Sequence, residues 1–304
     1  MARKMKSGIF GLNALLHGGI NEHSVTVVVG SSGAGKTMFA TQFLHWGLQA
    51  GQEGIYITLD ESPEQILNEA AEMGWEDARD YVKQEKLVFI DASGKQITDF
   101  IKKELADFVA EWQGAKARIV IDPLTPVLWS SQTKYEQRDL VSYLMRETKK
   151  MGTVLCTLEE HGTAGDLSTP ETIIPMYISD AVIHLRYLAK EGETSRMLKI
   201  VKCRSSRHSH RSHPYFILRG PGLVVQPDDR DRTGEIIAPG ELRDFYRKRI
   251  AAIPRERLSQ VGDRTWAGID RIIDHLSTER IEGIELSQIV DLILQEFDIE
   301  PQGI

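Results

Sequence analysis

The chain has 304 residues, enough for one large α/β core and a smaller module, and its 41% hydrophobic and 27% charged composition is that of an ordinary globular protein. A formal charge of -7 argues against a surface built to coat nucleic-acid phosphates, while leaving room for a local basic patch. Cys156 and Cys203 sit in separate apolar runs and make no disulfide framework; no run approaches a membrane span, and no signal-like segment follows the basic start, so a cytoplasmic setting is expected.

From residue 24 to 160, β-branched runs alternate with helical patterns. Val25–Val29 predicts a strand, and Lys36–Leu48 a helix. Ile55–Leu59 is the next strand, followed by Ser62 as an N-cap, Pro63 at the first helical position and Gln65 as a capping-box partner. Leu87–Ile90 follows, and then Phe100, Ile101, Leu105, Phe108, Val109 and Trp112 recur at helical spacing. Ile119–Ile121 ends at Asp122, and Thr153–Thr157 is a further strand.

Continuous apolar strands separated by helices imply a mostly parallel sheet covered on both faces, an α/β fold. Closely spaced strands at Ala181–Tyr187, Met197–Arg204, Pro214–Leu218 and Gly222–Val225 are expected to extend it as antiparallel hairpins. Past about residue 235 the strands are expected to stop, with amphipathic helices over Leu242–Ile253, Arg255–Leu276 and Ile284–Phe297. The expected division is an α/β domain over 1–235 and a helical appendage over 236–304, the latter offering packing faces and a route to a regulatory protein partner.

The run Gly30-Ser31-Ser32-Gly33-Ala34-Gly35-Lys36-Thr37 matches G-x-x-x-x-G-K-[ST] between a strand and a helix, the context that the motif requires. Its glycines let backbone N–H groups approach phosphate oxygens, and the helix N-terminus adds positive potential. With Met38, these residues are the expected contacts of ATP. Lys36 reaches toward the β- and γ-phosphates, and the Thr37 hydroxyl is a ligand for Mg²⁺. Asp122, closing a strand, is the carboxylate expected to hold that ion through water. Asp60 and Glu61 close Ile55–Leu59; they are either a solvated acidic turn before Ser62 or the group that orients water against the γ-phosphate.

Gly18-Gly19-Ile20, Gly33–Thr37, Gln42-Phe43-Leu44, Ile57–Pro63 and Lys202–His208 together resemble the RecA-superfamily ATPases of the KaiC type, over residues 7–227 and as a single domain. The resemblance implies a homo-hexamer in which Lys202 and Arg204 project onto a neighbour's γ-phosphate and His208 approaches the same nucleotide. It also makes Asp60 and Glu61 candidates for water activation. The family usually has Glu-Glu there. The Asp withdraws its carboxylate by about 1.5 Å, and a misplacement of about 1 Å can cost roughly a hundredfold in rate, so slow turnover is expected. Ser205 replaces a usual glycine, and Pro123 stands where serine is frequent.

Other readings stay open. Pro175-Met176-Tyr177 lacks the adjacent Ser-Thr acceptors of the family's autokinase domain, which favours an ATPase over an autokinase. A non-hydrolysing ATP-binding scaffold and a single-stranded-DNA-binding mediator using Arg207–Arg211 are the remaining alternatives, the latter opposed by the acidic balance. A metal site from His208, His210 and His213 competes poorly, since the neighbouring arginines repel a cation.

Overall fold

Alternating apolar runs and helical periods resolve into a nine-stranded mixed sheet, among the described residues, with helices on both faces. A computed structural model describes residues 3–92, 96–160, 167–190, 193–227, 236–237, 240–278, 281–282 and 284–299. A ribbon of β1 (Lys4–Met5) and β2 (Ile20–Asn21) brackets α1 (Leu12–Leu15). There follow β3 (Val25–Gly30), α2 (Lys36–Gln49), β4 (Gly54–Thr58), α3 (Pro63–Glu72), α4 (Ala78–Lys83) and β5 (Leu87–Asp91). Next come α5 (Gln96–Asp99), a π-helical stretch (Phe100–Glu104), α6 (Leu105–Trp112), β6 (Ala117–Asp122), α7 (Thr125–Trp129), α8 (Lys134–Thr148) and β7 (Gly152–Glu159). The sheet ends with α9 (Pro170–Ile178), β8 (Ala181–Lys190), β9 (Glu193–Cys203), β10 (Ser212–Leu218) and β11 (Gly222–Val225).

The strand order is β11-β10-β9-β8-β3-β7-β6-β4-β5. From β8 to β5 all neighbours run parallel, whereas β9, β10 and β11 are added antiparallel. Buried strand residues alternate between two cores because successive side chains leave opposite faces. Val27, Ile57, Ile121 and Val154 meet Leu105, Val141 and Leu144 on one side. Val28, Tyr56, Val120 and Leu155 meet Phe39, Phe43 and Leu44 of α2 on the other. The predicted cap forms: the Gln65 N–H donates to Ser62 Oγ at 3.3 Å.

Two expectations give way beyond residue 235. Ile236–Ile237 (β12) pairs antiparallel with Ile281–Glu282 (β13), a long-range ladder that a two-residue run does not announce. After α10 (Glu241–Ala251), the span Arg255–Leu276 is not one helix: α11 (Arg255–Leu258) ends, and α12 (Asp263–Leu276) begins after Gly262, whose φ of -69° and ψ of 152° are extended. The last helix, α13, is Leu286–Glu296.

These helices share a core with Phe10, Val224 and the half-buried Trp46 of α2. Trp46 lies edge-on to Phe10, with ring centroids 5.8 Å apart, and against Phe297 at 4.6 Å. At the same contact Glu296 is 4% exposed, and Asn13 Nδ2 donates to both of its oxygens at 2.5 and 2.6 Å. Arg118, 2% exposed, lies nearby and donates to the carbonyls of Phe43 and Lys6 at 2.7 and 2.9 Å. Gly47 makes room for it, since a Cβ there would sit 2.4 Å from Arg118 Cδ.

Burial pushes the Glu296 carboxyl up from 4.5 to about 7, against Lys6, Asn13, the Gly8 N–H and Arg118, which favour its charged form. A raised carboxyl contributes its stability fully below 4.5 and loses it as pH rises through about 7. Urea denaturation is therefore expected to show a loss of about 1 kcal/mol between about pH 6 and pH 8 from this group. Glu296→Gln should lack that part of the pH dependence.

Candidate functional site

The strand ends bring a loop and four acids to one edge of the sheet. Gly30 closes β3, and Gly35, at φ 88°, turns the chain into α2 at Lys36. This left-handed turn needs glycine on two counts: its backbone conformation, and a Cβ that would meet Ile217 Cδ1 at 2.8 Å. Lys36 Nζ donates to Ser31 O at 3.0 Å. Burial lowers the Lys36 pKa, and Glu159, Asp122 and Glu160 oppose that shift. Ser32 and Gly33 are exposed, whereas Ser31, Thr37 and Met38 are half-buried. The Met38 side chain packs against the apolar cluster of Leu67 and Ala70 of α3.

Asp122 lies two strands from β3, with β7 between, and is buried at 7% exposure. Tyr56 Oη donates to its Oδ2 at 2.6 Å, and Thr157 Oγ1 donates to its Oδ1. Leu59 N–H donates to the Asp122 carbonyl at 2.9 Å, tying the next turn to the same strand end. In that turn Asp60 is exposed and Glu61 half-buried. Glu61 Oε2 is buried and has no hydrogen-bond partner among the described residues. Burial first, and then the charges of Glu69, Asp122 and Asp60, raise the Glu61 pKa from 4.5 to about 7.

Glu159 and Glu160 are absent from the residues that motif spacing singles out. Glu159 lies opposite Gly30 in the β3–β7 ladder, and the Glu160 N–H donates to Gly30 O at 3.1 Å. The rule that selects Asp122, an acid closing an apolar strand, selects them too once β7 is known to adjoin β3. Strand adjacency is the missing signal. Behind them His184 Nε2 lies 3.4 Å from Glu160 Oε2, and burial lowers the histidine's pKa.

Lys202, Arg204 and His208 are not brought to this edge. Cys203 pairs with Ala181, which is level with Thr26, four residues or roughly 13 Å below Gly30. Lys202 Nζ donates to the carbonyls of Met176 and Ser179 at 2.7 and 2.6 Å, and Arg204 to Tyr177 O at 2.8 Å. Both cations thus cap the end of α9, which favours positive charge. The Lys202 pKa is lowered by burial and then by Arg204. Ser205 adopts φ 60°, the conformation that suits the glycine it replaces. His208 Nδ1 lies 2.9 Å from Ser209 O, and its ring is 4.8 Å from that of His210. His213 instead meets Ser209 Oγ at 2.7 Å, and among the described residues no three His, Cys, Asp or Glu side chains are arranged around a metal position.

The sequence pattern described as "ATPase: KaiC" matches residues 5–230. The chain belongs to the KaiC-type ATPase family. A UPF0273 protein of Pyrococcus horikoshii is 30% identical over 253 residues, 78% of this chain and 99% of that protein. The circadian clock oscillator protein KaiC of Prochlorococcus marinus is 31% identical over 245 residues, 74% of this chain but 46% of the clock protein. The crystal structure of a KaiC-like protein from Pyrococcus horikoshii superposes with a TM-score of 0.64 at 30% identity, covering 75% of this chain and 100% of that one. The KaiC-type match ends before the C-terminal helices begin. Among the described residues no helix is long and apolar enough to cross a membrane.

The loop geometry carries a stability consequence for this KaiC-type site. Gly35→Ala is expected to destabilise the fold by about 2 kcal/mol, from the cost of a left-handed alanine and the Ile217 contact. Chemical denaturation measures it.

Proposed function

We propose that this KaiC-type chain binds Mg-ATP on Gly30–Thr37 and hydrolyses it slowly in a site completed by a second copy, in a homo-hexamer. Nucleotide state would then control assembly or the binding of a regulatory protein on the C-terminal helices. The observation that carries this reading is the separation of charge along the sheet. The loop, Asp122, Glu61, Glu159 and Glu160 occupy one edge, whereas Lys202 and Arg204 lie at the opposite edge, out of reach of their own loop.

The residues fit Mg²⁺: Thr37 stands in the first turn of α2, Asp122 keeps lone pairs beyond those taken by Tyr56 and Thr157, and Glu61 has a buried unpaired oxygen. The ion would screen phosphate charge and orient the β- and γ-oxygens. Lys36 contributes a fixed positive charge beside the transferring group. Glu61 Oε2 takes the proton of a water whose oxygen bonds to the γ-phosphorus as the bond to the β–γ bridging oxygen breaks, giving ADP and phosphate. Asp60, exposed and shorter by one methylene, leaves this work to Glu61. Lys202 and Arg204 of one subunit stabilise the charge that builds on its neighbour's phosphate.

A base with a pKa of about 7 is active when deprotonated, so single-turnover phosphate release should rise between about pH 6 and pH 8 and level off above. Glu61→Gln should lower the rate at least about a hundredfold while ATP still binds. Binding without measurable release in the parent protein would favour the scaffold reading. Completion in trans has its own test: Lys36→Ala and Arg204→Ala subunits, each inactive alone, should regain part of the activity when mixed. No recovery at any ratio would refute it.

A further inference from the structure

The phosphate loop is gripped on its outer side by two tyrosines that the reaction above does not use. Tyr187 of β8 donates its hydroxyl to Gly33 O, and Tyr215 of β10 donates to Ala34 O at 2.6 Å. Tyr215 is buried at 2% exposure, whereas Tyr187 is half-buried. Arg196 stands directly opposite Tyr187 in the β8–β9 ladder, with its guanidinium 5.6 Å from the ring centroid. The Arg196 charge also opposes the upward shift that burial imposes on the Tyr215 phenol. Gly33 admits the Tyr187 hydroxyl, since a Cβ there would stand 3.3 Å from it.

A peptide unit is planar and trans, so a carbonyl and the N–H of the same unit point in opposite directions. Fixing Gly33 O therefore orients the Ala34 N–H, which donates to Ser31 O at 3.3 Å and closes the turn, and fixing Ala34 O orients the Gly35 N–H at the entry to α2. A phosphate loop turns the N–H groups at its helix entry toward its anion. One hydroxyl thus holds the turn and the other sets the direction of a donor at the helix entry. We infer that Tyr187, braced by Arg196, and Tyr215 are positioning residues that hold the loop in its phosphate-receiving shape before ligand arrives. The inference rests on the reading that Gly30–Thr37 binds polyphosphate. Tyr187 stands on β8, the last of the parallel strands, and Tyr215 on β10 of the antiparallel extension, so the loop is held from both sides of β9, the strand that carries Lys202.

The test compares the dissociation constants of Mg-ATP and of inorganic tripolyphosphate by calorimetry, alongside the ligand-free melting temperature. Tyr187→Phe keeps the ring beneath Arg196 and removes only the donor. It should weaken both ligands by the same factor, about fivefold, as expected for one partly exposed hydrogen bond. Tyr215→Phe should act in the same direction, with a melting shift of its own because its hydroxyl is buried. Arg196→Gln should weaken both ligands less, and add nothing to Tyr187→Phe in the double variant. Weaker ATP with unchanged tripolyphosphate would mean that Tyr187 meets the nucleobase, and would overturn the inference. So would a lower melting temperature with both constants unchanged. If the parent protein binds neither ligand, the phosphate-loop reading itself falls, an outcome distinct from unchanged constants in Tyr187→Phe.

Discussion

Asp122 is a carboxylate at the end of a central strand, shielded from water, and it persists only because both of its oxygens are hydrogen-bonded. Its partners come from the two flanking strands, Tyr56 from β4 and Thr157 from β7. That arrangement locks three strand ends at one level, since a slip of one residue would send Asp122 to the opposite face and place an apolar side chain there. The rest of the edge follows. With β7 held beside β6, its last residues carry Glu159 up to Gly30, and with β4 held on the other side the turn after it delivers Glu61.

The same constraint explains how charge is distributed. Four acids gather near the half-buried Lys36, and burial works against the lysine's own charge. Such an edge attracts cations and is poorly suited to a bare polyanion, which is the electrostatic case for a divalent ion and for further positive groups supplied from outside. At the far edge Lys202 and Arg204 are pinned to the last carbonyls of α9, so their chains are already ordered. An ordered cation loses less rotamer entropy when it meets a phosphate than one free in solvent.

Helix α2 links the two halves of the molecule. Its first residue is Lys36, and its later turns place Phe43 and Leu44 under the sheet and Trp46 against Phe10 and Phe297. A shift of the loop that moved α2 as a rigid rod would be felt at Trp46 and at the Asn13–Glu296 contact. Close-packed interiors transmit such displacements.

Much of this was legible in sequence because it depends on neighbours in the chain. The turn at Gly33–Gly35, the start of α2 at Lys36, the Ser62 cap and the buried apolar runs are local consequences of φ preferences, capping and periodicity. Lys202 and Arg204, two apart on one strand, both donate to Tyr177 O, as alternation of side chains along a strand allows. The break at Gly262 and the β12–β13 pairing were not legible, since one turns on a single backbone conformation and the other on a ladder between distant residues. Nor were Glu159, Tyr187 and Tyr215. Their part at the loop comes from strand order, and order is set by which apolar faces can be buried together, a property of the whole sheet. By itself, then, the sequence determined the loop, its helix and the α/β class. Only the tertiary structure decided which acids surround Lys36, that Glu61 faces inward while Asp60 faces water, and that the two cations lie beyond the reach of their own site.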